Sequence, residues 1–254
     1  MEHEQPEYES MEFPIQHESD AKPMGTAGKR KFSINKKYTR RGKGKKFDMG
    51  EGYFKFSLLG NNANGLKAKL KSLNAAVDFF KKPSCITIQE TKLRQANSIK
   101  LNGYEIFEKQ RSGQGGGLLT AVASDLEPIL VSDGGEEDEI LVVQAKVGSQ
   151  EIRIINAYGP QEDEVQSSLS FWQNLEAEVI CAADEKCSLI IQLDAHAKVG
   201  SPVLESDPND QSNNGKLLME MIKRQNLFLL NASDLCQGKI TRHRITKMEK
   251  RNLS

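Results

Sequence analysis

Apolar residues recur at two distinct spacings along this chain, and neither spacing is present before Tyr53. Phe54, Phe56 and Leu58 alternate with other residues, the period of a half-buried strand. Leu66, Leu70, Leu73, Val77 and Phe80 then fall on one stripe at helical spacing, preceded by Asn64-Gly65 and stopped by Pro83. CITIQ at 85–89 is a short apolar run suited to a buried strand, and GGGLLTAVAS leads from Gly115, Gly116 and Gly117 into another. EILVVQAKV and EIRIINAY flank Gly148-Ser149 and predict a hairpin. A second helix is predicted from Asp163 to Ala183, with Val165, Leu169, Trp172, Leu175 and Val179 on its apolar face. SLIIQL is a further strand, Lys216 to Gln225 a third helix, and LFLLN a strand after it. Strands and helices alternate with a hairpin between them. That order predicts an α/β layered sandwich with mixed or antiparallel sheets, rather than a purely parallel doubly wound sheet.

Residues 1–50 carry no periodic apolar positions and contain Pro6, Pro14, Pro23 and several glycines. Such a segment cannot bury enough surface to offset chain entropy, so it is expected to be a disordered tail. The domain is expected to occupy 53–254. The tail changes the picture of charge. Over 254 residues, 35 basic and 35 acidic side chains cancel, so nothing global points to nucleic acid. Yet the first twenty residues are rich in Glu, and Lys22 to Lys46 are rich in Lys and Arg. The basic run GKRKFSINKKYTRRGKGKK reads as a solvated tail, or as a nuclear address or nucleic-acid-contacting arm. No apolar run approaches the roughly 20 residues that span a bilayer, and no signal-peptide pattern opens the chain. The four cysteines show no CxxC spacing and are read as reduced thiols in an intracellular protein.

Several predicted strands end on polar residues that a plain core does not need. The first runs into Asn62, CITIQ into Glu90, EIRIINAY into Asn156 and Tyr158, and SLIIQL into Asp194 with His196 beyond. If those ends share one rim, it gathers two carboxylates, carboxamides, a phenol and an imidazole. Oxygen donors of this kind suit Mg²⁺ or Mn²⁺ together with water and phosphate. Taken singly each has an ordinary reading: a loop start for Glu90, a turn cap for Asp194, a surface histidine for His196, a turn residue with a buried ring for Tyr158.

Order and spacing turn the set into a pattern. NANGL (62–66), IQETKL (88–93), GGGL (115–118), NAYGPQ (156–161) and LDAHAKVG (193–200) occur in succession. Together they resemble the endonuclease/exonuclease/phosphatase family, with the greatest likeness to endonuclease domains of non-LTR retrotransposons; the family also includes apurinic/apyrimidinic endonucleases and pancreatic-type DNases. NNGKLLMEMIKRQNLFLLN (213–231) and Thr241-Arg242 resemble the retrotransposon branch. The resemblance covers 54–245 and implies a four-layer α-β-β-α sandwich with the site at one rim. It implies that Glu90 and Asn62 hold a divalent metal, Mg²⁺ or Mn²⁺, with no small-molecule cofactor. It places Tyr158 and Asn62 beside the scissile phosphate and makes Asp194 the carboxylate that orients or deprotonates the attacking water. His196 stands where the family has Asn, in an Asp-x-Asn element, with a donor toward phosphate. The implied activity is metal-dependent hydrolysis of DNA phosphodiesters, with DNA backbone as partner and a location that is intracellular and, from the basic run, nuclear.

Two departures qualify that activity. His196 is one. The other is that the family's closing elements, an Asp strand after Thr-Arg and then Ser-Asp-His, do not occur before Ser254. The expectation is a C-terminally incomplete domain, its last strands missing, with weak or no nuclease activity. The alternative is a non-catalytic transposon remnant that binds nucleic acid or a protein. A phosphatase acting on lipid or small phosphate esters is the reading the motifs favour least.

Overall fold

The computed structural model describes residues 56–94, 99–111, 115–136, 138–161, 165–200 and 211–230. The tail over 1–50, Phe54, Cys236, Thr241-Arg242 and His243 lie outside the described residues.

Two four-stranded sheets form the centre. β1 (Leu58–Asn62), β2 (Cys85–Gln89), β3 (Tyr104–Lys109) and β4 (Leu118–Ala123) make the first, in the order β1-β2-β4-β3. β5 (Ile129–Ser132), β6 (Ile140–Val147), β7 (Gln150–Tyr158) and β8 (Ser188–Asp194) make the second, in the order β5-β6-β7-β8. Each sheet mixes directions in the same way. β1 runs parallel to β2, and β7 runs parallel to β8, while the other neighbours are antiparallel. Parallel neighbours need a long crossover. α1 (Leu70–Phe79) supplies it in the first sheet and α2 (Val165–Asp184) in the second. The tight β6–β7 hairpin turns at Gly148, whose φ of 63° is a conformation glycine adopts without strain.

Burial explains why the central strands read as continuous apolar runs. Every residue of CITIQ is buried. Cys85 faces the second sheet, in a cluster with Val143, Ala145, Ile152 and Ile154. Ile86 and Ile88 face the other way, into a cluster with Leu66 and Val77 on the α1 side. In β7 the same alternation sends Ile154 between the sheets and Ile155 and Ala157 out against Phe171, Trp172 and Leu175 of α2. Each buried Val, Leu, Ile or Phe side chain contributes about 1.5–3 kcal/mol over its exposed state. α3 (Asn213–Arg224) joins the outer layer of the second sheet through Met221, Leu217 and Leu218. The architecture is therefore helix, sheet, sheet, helix, as the sequence implies. No helix among the described residues is long and apolar enough to cross a membrane.

The two sheets are tied by a buried polar link as well as by apolar packing. The Gln89 Nε2 of β2 donates to Asn156 Oδ1 of β7 at 2.7 Å. The Asn156 Nδ2 donates to Leu119 O at 2.9 Å, with Ile88 O and Thr120 Oγ1 at 3.3 Å. Asn156 is 0% exposed. It is an inter-sheet tie, not one of the rim carboxamides that its place near a strand end suggests.

Four expectations shift. β3 and β5 are additional strands. The helix stripe ends early: the chain turns at Phe80, which is 52% exposed, and Lys81 and Lys82 take left-handed φ of 57° and 56°. α3 starts at Asn213, not Lys216, because the Ser212 hydroxyl accepts Gly215 N–H at 3.2 Å and caps the helix there. LFLLN is not a strand where it is described. Residues 227–229 belong to no helix or strand, and Phe228 and Leu230 are 74% and 60% exposed, so only Leu227 packs on the core.

Candidate functional site

Four strand tips converge on one edge of the sandwich. β1 ends at Asn62, β2 hands over to Glu90, and the parallel pair β7–β8 sets Tyr158 beside Asp194 in register. One ligand atom from each of Glu90, Asp194 and His196 lies within 4.8 Å of the others. The two carboxylates, drawn from different sheets, therefore face a single point.

Asn62 sits between them. Its Nδ2 donates to Glu90 Oε1 at 2.8 Å and to Asp194 Oδ2 at 2.6 Å. Its Oδ1 accepts the Asn64 N–H at 3.0 Å, which fixes the orientation of the amide. A neutral donor thus bridges two acids from the position a cation would take. The Tyr158 hydroxyl adds a third contact, donating to Glu90 Oε1 at 3.1 Å, and Lys92 Nζ lies 3.5 Å from Glu90 Oε2. Burial alone would raise the Glu90 carboxyl. The hydrogen bonds from Asn62 and Tyr158 and the Lys92 ammonium outweigh it and hold the group below its ordinary range. Burial, and then the Glu90 charge, push the Tyr158 phenol far above its ordinary value. Tyr158 consequently remains a donor at any physiological pH.

Backbone strain marks the same residues. Glu90 has φ 50°, Lys92 φ 52° and His196 φ 43°. Left-handed φ is uncommon for non-glycine residues and persists only where the surroundings enforce it. At Glu90 the enforcing element is the glycine loop. Gly117 O accepts Thr91 N at 3.0 Å and Gly116 O accepts Lys92 N at 2.9 Å. Gly117 N in turn donates to Glu139 Oε1 at 2.8 Å. A Cβ on Gly117 would lie 2.6 Å from Thr91 Oγ1, and one on Gly116 would lie 2.1 Å from Glu139 Oε1. The glycines therefore clamp the Glu90 turn, and the Gly117 N–H is already taken by a carboxylate. Glu139 is itself buried, and that burial raises its carboxyl. Its own backbone carbonyl accepts Tyr158 N at 2.9 Å, so one residue steadies both Glu90 and Tyr158.

His196 does not lie two places along a straight strand from Asp194. β8 ends at Asp194, and the chain turns through the left-handed φ of His196. Its ring is placed by side-chain contacts instead. Nδ1 is 2.8 Å from Gly159 O, Gln161 Nε2 lies 3.2 Å from Nε2, and the ring meets Tyr158 edge-on at 4.8 Å between centroids.

The loops carrying His196 and Pro160 rest on α3. Asn214, 1% exposed, donates through Nδ2 to Pro160 O at 3.0 Å and to His196 O at 3.4 Å. Its Oδ1 accepts Trp172 Nε1 at 3.1 Å and the Ser168 hydroxyl. Gly215 permits this contact, since a Cβ there would lie 1.8 Å from Lys198 O. Gly215→Ala should therefore destabilise the chain by about 1–3 kcal/mol, or roughly 3–10 °C in Tm. Thermal melting followed by circular dichroism checks this, and an unchanged Tm would mean that the 195–200 loop has slack. Sequence spacing does not mark Asn214, Glu139, Lys92 or Gln161 as site residues: Lys92, Gln161 and Asn214 lie inside the motifs, but nothing in their spacing signals these contacts.

No protein-family model matches the sequence, and no curated protein matches it. Solved structures do match in three dimensions. The AP endonuclease LMAP from Leishmania major superposes with a TM-score of 0.56 at 17% identity, over 67% of this chain and 67% of that one. The endonuclease domain of TRAS1, a telomere-specific non-LTR retrotransposon, gives 0.51 at 22% identity, over 71% and 75%. An AP endonuclease from Archaeoglobus fulgidus gives 0.53 at 18% identity, over 67% and 71%. With its two mixed sheets between helical layers and its acidic residues at one rim, the chain has the fold of the endonuclease/exonuclease/phosphatase-like family.

Proposed function

We propose that this chain is a retrotransposon-type endonuclease domain that hydrolyses DNA phosphodiesters with a divalent cation, Mg²⁺ or Mn²⁺. The observation that carries the reading is the bridging of Glu90 and Asp194 by one amide nitrogen at 2.8 and 2.6 Å. Two acids from separate sheets are brought to one point that calls for positive charge. The donor set fits a hard cation, which takes one or two carboxylates and completes its shell with water and substrate phosphate. Such an ion, when bound, neutralises charge growing on the phosphate oxygens.

The chain's own residues supply the rest. Asp194, fixed at the tip of β8, orients the attacking water and accepts its proton. Tyr158, kept protonated, has its one proton on Glu90 Oε1 and would re-aim it toward a phosphate oxygen where charge develops. Asn62 holds the two carboxylates in register, each accepting one of its amide protons. Lys92 adds a positive charge beside Glu90, 40% exposed and within reach of a DNA backbone. The basic run at 28–46 strengthens that backbone contact, so binding weakens steeply with salt, and it suits a nuclear location.

The test is nicking of supercoiled plasmid by the full chain with Mg²⁺ or Mn²⁺, against the same reaction in chelator and against Asp194→Asn. Cation-dependent nicking that Asp194→Asn removes supports the reading. Saturable, salt-sensitive DNA binding with no turnover in either cation would replace it with a nucleic-acid-binding module. Turnover of a phosphoinositide but not DNA would replace it with a phosphatase.

A further inference from the structure

His196 is where the chain departs from the Asp-x-Asn pattern, and its surroundings define what the substitution does. The ring nitrogen Nδ1 lies 2.8 Å from Gly159 O. A carbonyl only accepts, so Nδ1 carries the proton. The neutral ring then has its lone pair on Nε2, the nitrogen 3.2 Å from the donating Gln161 amide. Gln161 is exposed, so water replaces that partner easily. Tyr158 packs edge-on against the ring at 86° and keeps it from swinging. A ring held through one N–H by a backbone carbonyl, with the lone pair of the other nitrogen met only by an exposed, displaceable amide, is oriented as metal-binding imidazoles usually are. The imidazole belongs to the cluster in which Glu90, Asp194 and His196 each offer one ligand atom within 4.8 Å of the others; with Nδ1 on the Gly159 carbonyl, Nε2 is the nitrogen whose lone pair remains.

Asparagine in this place offers an amide. Histidine offers a softer nitrogen donor, and donor softness sorts cations. Mg²⁺ prefers oxygen ligands and an octahedron of them. Imidazole favours first-row transition metals, whose affinity for nitrogen and oxygen sites rises from Mn²⁺ through Co²⁺. We propose that His196 Nε2 is the third protein ligand of the cation held by Glu90 and Asp194, and that it makes this site select a divalent transition-metal cation over Mg²⁺. The inference rests on the reading of those two carboxylates as cation ligands.

The full chain is loaded with Mn²⁺ and examined by pulsed electron paramagnetic resonance, which detects nitrogen bound to the ion. Calorimetric competition then compares Mn²⁺ and Co²⁺ with Mg²⁺. The wild type should show imidazole nitrogen coupling and bind Mn²⁺ about tenfold or more tightly than Mg²⁺, with Co²⁺ tighter again. His196→Asn should lose the coupling and narrow the Mn²⁺/Mg²⁺ ratio. Asn tolerates left-handed backbone better than most residues, so this variant keeps the φ of 43°. Absence of nitrogen coupling in the wild type, or an unchanged ratio in His196→Asn, overturns the role of His196. Glu90→Ala separates the two levels. If it abolishes Mn²⁺ binding while the nitrogen coupling is absent, the carboxylate site stands and only the histidine ligand falls. If it binds Mn²⁺ as the wild type does, the cation site and the inference fall together.

Discussion

Glu90→Ala should abolish tight divalent-cation binding and lower cation-dependent nicking by about 10²–10³-fold. The effect is large because Glu90 accepts from or faces three of the site's polar side chains. Asn62 and Tyr158 both donate to its Oε1, and Lys92 faces its Oε2. These donors already hold the carboxyl below its ordinary range, so it is anionic down into acidic solution and needs no change of protonation to receive a cation. Removing it leaves Asp194 as the only carboxylate facing Asn62. The fold should survive, since Glu90 is only partly buried, its side chain 19% exposed and its neighbours reachable by water. Glu90→Gln keeps the size and removes the charge, and should bring most of the same loss. Calorimetry for the cation and a plasmid assay for nicking check both variants. Equal nicking by wild type and Glu90→Ala would remove this residue from the chemistry.

Asn156→Leu should be strongly destabilising. The side chain links both sheets, accepting from Gln89 and donating to Leu119 O, with two longer contacts. Leucine has similar bulk but strands the Gln89 amide in a site that water does not reach, Gln89 being 2% exposed. A loss of about 3 kcal/mol is expected, or roughly 10 °C in Tm for a domain of this size. The double variant Gln89→Leu, Asn156→Leu should recover part of it, because removing both partners leaves fewer unmet polar groups. Chemical denaturation of the three variants measures the coupling. A single variant as stable as wild type would show that the link is decorative.

The sequence displays these features unequally, for physical reasons. α1, α2 and the strands β2, β6, β7 and β8 are legible because burial on a definite face imposes a definite period. β3 escapes because Glu105 and Glu108 interrupt its apolar residues, and β5 because all of its residues are exposed or half-exposed on a sheet edge. Asn62, Glu90, Tyr158, Asp194 and His196 are legible as members of ordered motifs, and the structure brings them to one edge. What those motifs hide is the scaffold. Asn156 looks like a rim residue by its position near a strand end, yet strand parity turns it inward. The triglycine shows in sequence only as the lead into β4, while in the fold its Gly117 N–H is taken by Glu139 and its carbonyls clamp the Glu90 turn. The bent backbone at His196 is set by Gly159, Tyr158 and Asn214, residues distant in sequence.

Each sheet is built from one continuous half of the polypeptide, with β1 to β4 before Ser124 and β5 to β8 after Pro128. Glu90 belongs to the first half and Asp194 to the second, and the Asn62 amide that joins them reaches across 132 residues of chain. Neither half can complete an ion's pocket by itself. On the proposed reading, an ion seated there would act as a rivet across the two halves, so motions that part them would also release it, and its occupancy would read out how firmly they are docked.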